Sequence, residues 1–495
     1  MTDITPTELD AIAARAAKAA PAWAATPPSA RAGILVAAAD ALMMSGSELV
    51  ATAITETGLS EARLAGELKR TAVQLRLFAD VTLDGSYLDA RIDDADSNFV
   101  LGARPDIRRY SVPIGPVLNF AASNFPFAFS VAGGDTASAL AAGCPVIVKA
   151  HSGHLRLSAQ TTAVVAAAFE RAGAPDGILQ MISGRHAGLA LLQDPRIAAA
   201  SFTGSIHAGT LLANIASTRP RPIPFFGELS SVNPVFVTAA GLAENAEAIA
   251  DGYLASIAGS AGQLCTKPGF LFLPVGHGLA ARITGLAERV GEHRLLYPGI
   301  AAGYRSRRNA ILATPGVNVV SEGSLRIDEE GQGWATPTVL SVPVAALLAQ
   351  RESLLDEAFG PLSIIVDYDS EGDLAAIADE LFEGNLTGTV HIGAGENTPS
   401  LRRLVDWITV HAGRVLFGGW PTGVAVTPAM QHGGPWPATT NDSSTSVGTA
   451  AIGRFLRPVA YQGAPQALLP EPLRDDNPWG IPQHRSFAGK VLVTL

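Results

Sequence analysis

The 495-residue sequence contains few cysteines and few charged residues. Its two cysteines, Cys144 and Cys265, cannot build a disulfide framework, which fits a reducing compartment and predicts a cytoplasmic protein. Charged residues make up 16% of the chain and the net charge is −10, which argues against broad binding to nucleic acid or to an anionic membrane. We therefore expect neither as a partner.

Three further features are missing. The apolar run 112–122 is far shorter than the ~20 residues that span a bilayer. The N-terminus carries early acidic residues and does not match a signal or transit peptide. No G-x-G-x-x-G motif follows a predicted strand, so the common phosphate loop of dinucleotide-binding proteins is missing. We expect a protein of two or three domains, because the chain is too long for one ordinary core.

Apolar runs of strand length alternate with helical stretches through the first half of the chain. The runs are residues 112–122, 146–150, 178–183 and 198–202, and the helical stretches are residues 127–142, 157–172 and 207–216. This alternation predicts an α/β fold with a parallel sheet covered by helices. Ligands of such sheets bind at the carboxyl ends of the strands, so the residues that follow each strand are the first candidates for a site.

A second α/β region begins near residue 234. We predict one domain from residues 1–97 and 111–233, and a second from residues 234–440. Residues 98–110 read as an exposed ribbon, and residues 441–495 form a C-terminal segment. Its last residues, 490–495, predict a terminal strand, which needs a partner in this chain or on a second subunit.

Cys265 lies in a polar, glycine-flanked segment, residues 260–269 (Ser-Ala-Gly-Gln-Leu-Cys-Thr-Lys-Pro-Gly). Small residues on its N-terminal side allow a ligand to approach closely, which favours a reactive thiol. The alternative is a small buried hydrophobic residue, the commonest role of a free cysteine. Cys144, at the entrance to an apolar strand, keeps that structural interpretation.

Two other polar residues stand among apolar neighbours. Glu228 is either exposed to solvent or buried with a shifted pKa, and a buried carboxylate suits a general base. Asn124 follows a strand-like run and could donate its amide to a developing oxyanion. The alternative for Asn124 is a turn residue before Phe125 and Pro126.

Residues 201–209 (Ser-Phe-Thr-Gly-Ser-Ile-His-Ala-Gly) run from a predicted strand into a predicted helix. Gly204 and Ser205 would place backbone N–H groups and a hydroxyl at the positive end of that helix, which suits a pyrophosphate. Glycine-serine helix starts also occur without ligands.

Together these segments resemble the aldehyde dehydrogenase superfamily over nearly the whole chain. The matching segments, in the family's order, are residues 123–126 (Ser-Asn-Phe-Pro), 148–149 (Val-Lys), 202–205 (Phe-Thr-Gly-Ser), 228–229 (Glu-Leu), 262–265 (Gly-Gln-Leu-Cys) and 357–361 (Glu-Ala-Phe-Gly-Pro). Six ordered matches are far more specific than any one of them.

The resemblance implies the roles of these residues. The Cys265 thiolate attacks the aldehyde carbon, and Asn124 together with the Cys265 N–H holds the oxyanion. Hydride transfer to a nicotinamide dinucleotide leaves a thioester, and Glu228 activates the water that hydrolyses it. Glu357 and Phe359 match positions that hold the nicotinamide ribose and ring.

The resemblance also assigns the larger units and the cofactor-binding lysine. The first domain would bind the dinucleotide, together with Lys149, and the second would carry the nucleophile. The ribbon and the C-terminal segment would form a small β oligomerisation element, which implies a homodimer or homotetramer. No metal is implied.

Residues near Lys149 bear on the choice of cofactor. Ser152 stands where NAD-preferring members of the family have an acid, so no charge there would repel a 2′-phosphate. Arg185 follows the run 178–183 and could pair with that phosphate, although it could equally be a surface cation. We expect NADP, with NAD as the alternative.

Five segments resemble one branch of the family, the 2,5-dioxovalerate (α-ketoglutaric semialdehyde) dehydrogenases. They are residues 120–126, 148–151, 228–236, 264–269 and 432–439. The branch implies oxidation of this semialdehyde to 2-oxoglutarate.

Two alternatives remain open. One is an NADP-dependent dehydrogenase of fatty or other aldehydes, a group that shares the Lys-Ala-His stretch and a late active-site histidine. His432 could be that histidine, or a structural or solvated loop residue. The other alternative is a catalytically silent scaffold with the same fold.

Overall fold

The computed structural model describes residues 4–486, and this part of the chain contains fifteen α-helices and seven short 3₁₀ helices. The α-helices are Pro6–Ala24, Pro28–Met44, Gly46–Thr57, Glu61–Asp84, Gly134–Ala142, Leu155–Arg171, Arg185–Gln193, Ile206–Thr218, Ala239–Ala258, Ala280–Ala287, Pro298–Leu312, Val344–Ala349, Arg351–Leu354, Leu374–Leu381 and Pro399–His411. The 3₁₀ helices are Ser86–Leu88, Ser152–His154, Gly259–Gly262, Glu371–Asp373, Thr449–Phe455, Gln466–Leu468 and Glu471–Leu473.

A five-stranded sheet forms the centre of the first half of the chain, and all its neighbouring strands are parallel. In spatial order its strands are Leu179–Ile182, Val146–Lys149, Val117–Phe120, Ala199–Thr203 and Phe225–Glu228. Helices cover the sheet, so most strand residues are buried and the strands read as apolar runs. The predicted α/β fold with a parallel sheet is confirmed.

The predicted run 112–122 is two strands rather than one. The first ends at Pro113 and the second begins at Val117. Gly115 between them has φ +120°, and Pro116 has no N–H to donate to a strand. The chain therefore leaves one sheet and enters another at this point.

The predicted helix 127–142 is also shorter, because it begins only at Gly134. The backbone N–H groups of Phe127 and Ala128 donate instead to the buried carboxylate of Glu67, at 2.8 and 2.9 Å. The Glu67 side chain, about sixty positions away in the sequence, therefore stabilises a turn at residues 127–128 in place of the predicted helix.

A seven-stranded sheet forms the second half. In spatial order its strands are Asn318–Ser321, Thr338–Pro343, Leu362–Tyr368, Phe270–Pro274, Val235–Val237, Asn385–His391 and Ala412–Phe417. Only the first pair is antiparallel. The same part of the chain also forms a small antiparallel sheet. In spatial order its strands are His293–Arg294, Gly333–Ala335 and Leu325–Ile327.

A fourth sheet joins the middle of the chain to its C-terminal segment. Its order is Leu456–Gln462, Ile107–Pro113, Ala90–Asp93 and Gln483–Ser486. The predicted ribbon 98–110 thus corresponds to most of the connection between the strands Ala90–Asp93 and Ile107–Pro113, and to the first residues of the strand Ile107–Pro113. The predicted terminal strand 490–495 lies outside the described residues.

Within residues 4–486, no single helix has the length and apolar character needed to cross a membrane. One pair, Pro28–Met44 and Gly46–Thr57, meets the length and composition criteria together but is bent by 69°. Many residues of the first helix of this pair belong to the core around the five-stranded sheet.

Asn233 ties the loop of Cys265 to the seven-stranded sheet. It is fully buried, and its φ of +47° lies in the left-handed region that asparagine tolerates better than most residues. Its Nδ2 donates to the carbonyls of Cys265 and Lys267, at 2.9 and 3.0 Å. Its Oδ1 accepts from the N–H and the hydroxyl of Thr387, a strand residue.

We expect Asn233→Ala to lower the free energy of unfolding by about 3 kcal/mol, because several buried polar groups lose their partners at once. Urea denaturation measures this change. Asn214→Ala, at an exposed position of the helix Ile206–Thr218, is the control and should stay near wild type. A loss below about 1 kcal/mol for Asn233→Ala would contradict this role.

Candidate active site

The predicted site residues meet at the carboxyl edge of the five-stranded sheet. Lys149 and Glu228 are the last residues of their strands, and Asn124 follows the central strand closely. Gly204 and Ser205 come directly after the strand Ala199–Thr203. Because parallel strands end at the same edge, these residues, distant in sequence, become neighbours.

A cavity of about 540 Å³ opens along this edge. Eight of the predicted residues line it: Asn124, Lys149, Arg185, Gly204, Ser205, Cys265, Glu357 and Phe359. Ser152 is not among the lining residues. Its side chain is exposed at the start of the 3₁₀ helix Ser152–His154, beside His151, which does line the cavity.

The wall of this cavity fits an anionic dinucleotide. Ser205 caps the helix Ile206–Thr218, accepting from the N–H of Ala208 at 3.3 Å, and the first turn of that helix has no acidic residue. Lys149 and Arg185 add two cations, and Glu357 is the one carboxylate among the described lining residues. The positive helix end and the two cations suit a diphosphate.

The aromatic part of this wall was not predicted from the sequence. Phe120, Phe202, His151 and Tyr297 line the cavity, and the His151 and Tyr297 rings lie 5.3 Å apart. Burial, with the nearby charges of His154 and Lys149, lowers the pKa of His151 to about 3, so its ring is neutral. These residues come from separate segments, and no local motif identifies them.

The backbone before Cys265 is strained. Ser260 and Ala261 have φ of +52° and +53°, which non-glycine residues rarely adopt. Gly262 follows with φ +65°, and a Cβ there would lie 2.4 Å from the carbonyl oxygen of Gly360. This turn places Cys265 at the cavity.

Cys144, in contrast, is fully buried, and its Sγ lies 3.4 Å from the carbonyl oxygen of Phe455. Burial raises the pKa of its thiol to about 11. The thiol is therefore protonated and packed in the core, as its structural interpretation requires.

Cys265, His432 and Glu228 form a compact group. His432 Nε2 lies 3.6 Å from Cys265 Sγ and 3.1 Å from Glu228 Oε1. The imidazole and the carboxylate are almost completely buried, at 1% and 4% exposed. Ser446, which the sequence analysis did not identify, donates its hydroxyl to Glu228 Oε2.

The same three side chains present sulfur, nitrogen and oxygen atoms within 4.8 Å of one another, an arrangement that could also hold a metal ion. The absence of a metal therefore stays a prediction.

A loop of the second half brings His432 and Ser446 to Glu228. Thr439 pairs with Glu228 in an isolated antiparallel bridge, so the loop runs beside the end of the strand. The loop lies against the larger sheet only because two glycines meet there. A Cβ on Gly413 would lie 1.9 Å from the Gly433 carbonyl oxygen, and one on Gly434 would lie 2.2 Å from that of Asn385.

Asn124 is buried beside the nucleophile. Its Nδ2 donates to the carbonyl of Gln263 at 3.1 Å, two residues before Cys265. The backbone carbonyl of Asn124 accepts from Arg63 Nη2 at 2.8 Å. The backbone is thus held by Arg63, and the side-chain amide is directed towards the segment that carries the thiol, as an oxyanion donor requires.

Burial and neighbouring charges shift the pKa values of Cys265, Glu228 and Glu357. Burial, together with the negative charges of Glu228 and Glu357, raises the pKa of the Cys265 thiol well above its usual value, and Arg70 opposes this. Burial alone would raise the pKa of Glu228, but the charge of His432 and hydrogen bonds from His432 and Ser446 lower it overall. Burial raises the pKa of Glu357 to about 7.

We expect Glu228→Gln to make Cys265 more reactive, although it removes a candidate base. Loss of the negative charge lowers the pKa of the thiol, so more thiolate is present at pH 8. Alkylation by iodoacetamide should become about three- to tenfold faster. The control is Glu247→Gln, whose carboxylate is 82% exposed, and its rate should match wild type. An unchanged or slower rate in Glu228→Gln would contradict this electrostatic coupling.

The chain is similar to known proteins of one family. The sequence profile of the aldehyde dehydrogenase family matches residues 1–290. The chain is 44% identical over 469 residues to "Alpha-ketoglutaric semialdehyde dehydrogenase 2" of Azospirillum brasilense, covering 94% of this chain and 88% of that protein. It is 42% identical over 439 residues to "Alpha-ketoglutaric semialdehyde dehydrogenase" of Acinetobacter baylyi (strain ATCC 33305 / BD413 / ADP1), covering 88% and 82%.

A solved structure extends the likeness to the fold. The NAD-dependent aldehyde dehydrogenase from Sinorhizobium meliloti superposes with a TM-score of 0.77 at 23% identity, over 94% of this chain and 88% of that one. With the family profile, the relatives and the fold in agreement, the chain belongs to the aldehyde dehydrogenase family and is an oxidoreductase acting on aldehydes.

Proposed function

We propose that the protein oxidises 2,5-dioxopentanoate, which is α-ketoglutaric semialdehyde, to 2-oxoglutarate. The identity of 44% and 42% to proteins of that name, over most of each chain, supports this substrate. The observation that carries the chemistry is the contact of Cys265 with His432, whose imidazole also contacts Glu228. Asn124, buried beside the nucleophile, completes the group.

The first step is attack of the Cys265 sulfur on the aldehyde carbon. The thiol must lose its proton, and the pair of His432 and Glu228 is within reach to accept it. The carbonyl oxygen becomes an oxyanion, and the Asn124 amide stabilises it. A bound nicotinamide dinucleotide supplies the hydride acceptor that converts the thiohemiacetal into a thioester.

Hydrolysis of the thioester needs a base, and Glu228 supplies it. Its carboxylate takes a proton from the attacking water, and the resulting hydroxide displaces the Cys265 sulfur as the carboxylic acid forms. His432 and Ser446 hold the carboxylate in place and keep its pKa low, so Glu228 is ionised when water arrives.

We propose NADP as the preferred cofactor, with NAD as the alternative. Arg185 lines the cavity and can pair with a 2′-phosphate, and Ser152 leaves the nearby segment without a repelling acid. Lys149 adds a second cation on the same wall.

We also propose a cytoplasmic homodimer or homotetramer. The small four-stranded sheet supports this, because its edge strand Leu456–Gln462 has a neighbour on one side only among the described residues. An open edge can pair with another subunit.

Steady-state kinetics with 2,5-dioxopentanoate and decanal test the substrate. We expect kcat/KM for the semialdehyde to exceed that for decanal by about tenfold or more, because a polar acid and a long alkyl chain need opposite surroundings. A higher kcat/KM for decanal would make the protein a fatty aldehyde dehydrogenase. Activity with neither aldehyde would favour a silent scaffold.

Arg185→Ala tests the cofactor. We expect kcat/KM for NADP to fall about tenfold, through loss of one charge-assisted contact, while the value for NAD stays near wild type. Arg171→Ala, at an exposed position of a helix on the same domain, is the control. Equal changes for NADP and NAD would contradict a contact with the 2′-phosphate.

A further inference from the structure

A buried arginine cluster lies beside the turn that carries Asn124. The helix Glu61–Asp84 places Arg63, Glu67 and Arg70 on one face, at spacings of four and three residues. Glu67 fastens this face to the turn through the N–H groups at positions 127 and 128. Arg63 donates to the carbonyl of Asn124 at 2.8 Å. The arginines therefore have a fixed position relative to the catalytic amide.

Arg70 lacks the partners that a buried guanidinium needs. Its Nε and Nη2 are buried, and neither has a hydrogen-bond acceptor among residues 4–486. Its guanidinium carbon lies 5.4 Å from the ring centre of Phe129 and 5.9 Å from that of Phe125. The aromatic faces support the cation, but unpaired buried N–H groups are costly unless a ligand satisfies them.

The charges around Arg70 leave room for one more anion. Arg63 and Arg70 are two cations, whereas the nearby Glu67 is a single carboxylate. Its Oε1 already accepts from two backbone N–H groups, and its Oε2 lies 3.8 Å from Arg63 Nη2. Glu228 is occupied by His432 and Ser446. Arg70 has no carboxylate within ion-pair distance among the described residues.

Arg70 lies outside the lining of the cofactor cavity. Asn124 and Cys265 line that cavity, but Arg70 and Phe129 do not. The Phe129 ring lies 6.4 Å from the ring of His432, which contacts Cys265. The positive charge of Arg70 also opposes the rise in the pKa of the Cys265 thiol.

We propose that Arg70 binds the distal carboxylate of the substrate and sets the preference for semialdehydes that carry an acid group. The proposal rests on the function proposed above and names the side chain that recognises its substrate. The planar guanidinium can hold a carboxylate through two parallel hydrogen bonds. Phe125 and Phe129 would pack against the methylene groups between the acid and the aldehyde.

The test compares 2,5-dioxopentanoate with pentanal, an aldehyde of the same chain length without the acid. In Arg70→Met, the ratio of kcat/KM for the acid to that for pentanal should fall between about 10- and 100-fold, the loss expected for a charge-assisted pair. The change should lie mainly in KM for the acid, and inhibition by the product 2-oxoglutarate should weaken in parallel. Arg70→Lys keeps the positive charge but lacks the planar guanidinium that makes two parallel hydrogen bonds, so it should give an intermediate ratio.

Arg76→Met is the matched control, because Arg76 lies on the same helix but is half-exposed and paired with Asp40. Its ratio should equal that of wild type. If Arg70→Met does not fold, the ratio and the product inhibition in Arg70→Lys decide the question.

The outcomes separate the two proposals. If wild type prefers pentanal to the acid, the proposed substrate is wrong whatever Arg70 does. If wild type prefers the acid and both Arg70 variants keep that ratio, the substrate stands and the assignment of Arg70 is overturned. Equal loss with both aldehydes would overturn it as well, because Arg70 would then act on the thiol and not on the carboxylate.

Discussion

A carboxylate buried at the end of a strand is the constraint on which the site depends. Glu228 is almost completely buried, and an unpaired carboxylate there would cost several kcal/mol. His432 and Ser446 satisfy it, and both come from the loop that runs beside the strand. That loop reaches its position because Gly413 and Gly434 allow backbones to touch. Pairing the carboxylate therefore also brings the imidazole to the thiol.

The nucleophile itself belongs to the other half of the chain. Its loop is held by Asn233, which links the Cys265 and Lys267 carbonyls to a strand of the larger sheet. The left-handed backbone at Ser260 and Ala261 is strained, and these hydrogen bonds help to maintain it. The site therefore exists only where the two halves meet. This arrangement brings Glu228 of the first half within 4.8 Å of the thiol, whose own backbone is fixed to the second half.

Positive charge is found at two places near the thiol. The cofactor cavity has cations and a helix N-terminus, which suit the diphosphate of a dinucleotide. Arg70, which is not among the lining residues of that cavity, stands over two aromatic rings, and its Nε and Nη2 have no hydrogen-bond partner among residues 4–486. The cavity and Arg70 both attract anions, but the cavity is lined by several elements, whereas Arg70 offers a single guanidinium. A cofactor and a small acid can thus reach the same sulfur without competing for one binding surface.

The sequence alone was sufficient for the α/β fold, the family and eight of the residues that line the cavity. The reason is local: strand-length apolar runs are followed directly by polar residues, and parallel strands end at one edge. Asn124, Gly204 and Ser205 became candidates because they follow predicted strands, whereas Glu228 was identified as an acid among apolar neighbours and Lys149 through the resemblance to the family. Ser152 is a partial exception, because its neighbour His151 turns towards the cavity and Ser152 itself faces solvent.

Only the tertiary structure decided what depends on contacts between distant segments. The turn after Asn124 replaces the start of a predicted helix, because the Glu67 carboxylate takes two of its N–H groups. Ser446 lies 218 positions from Glu228, and no local pattern marks it as a partner. The role of Arg70 depends on its Nε and Nη2, which are buried without a hydrogen-bond partner in the described part of the chain, a property that no sequence pattern shows. Local composition determines which elements form, whereas the satisfaction of buried charges is a property of the packed chain.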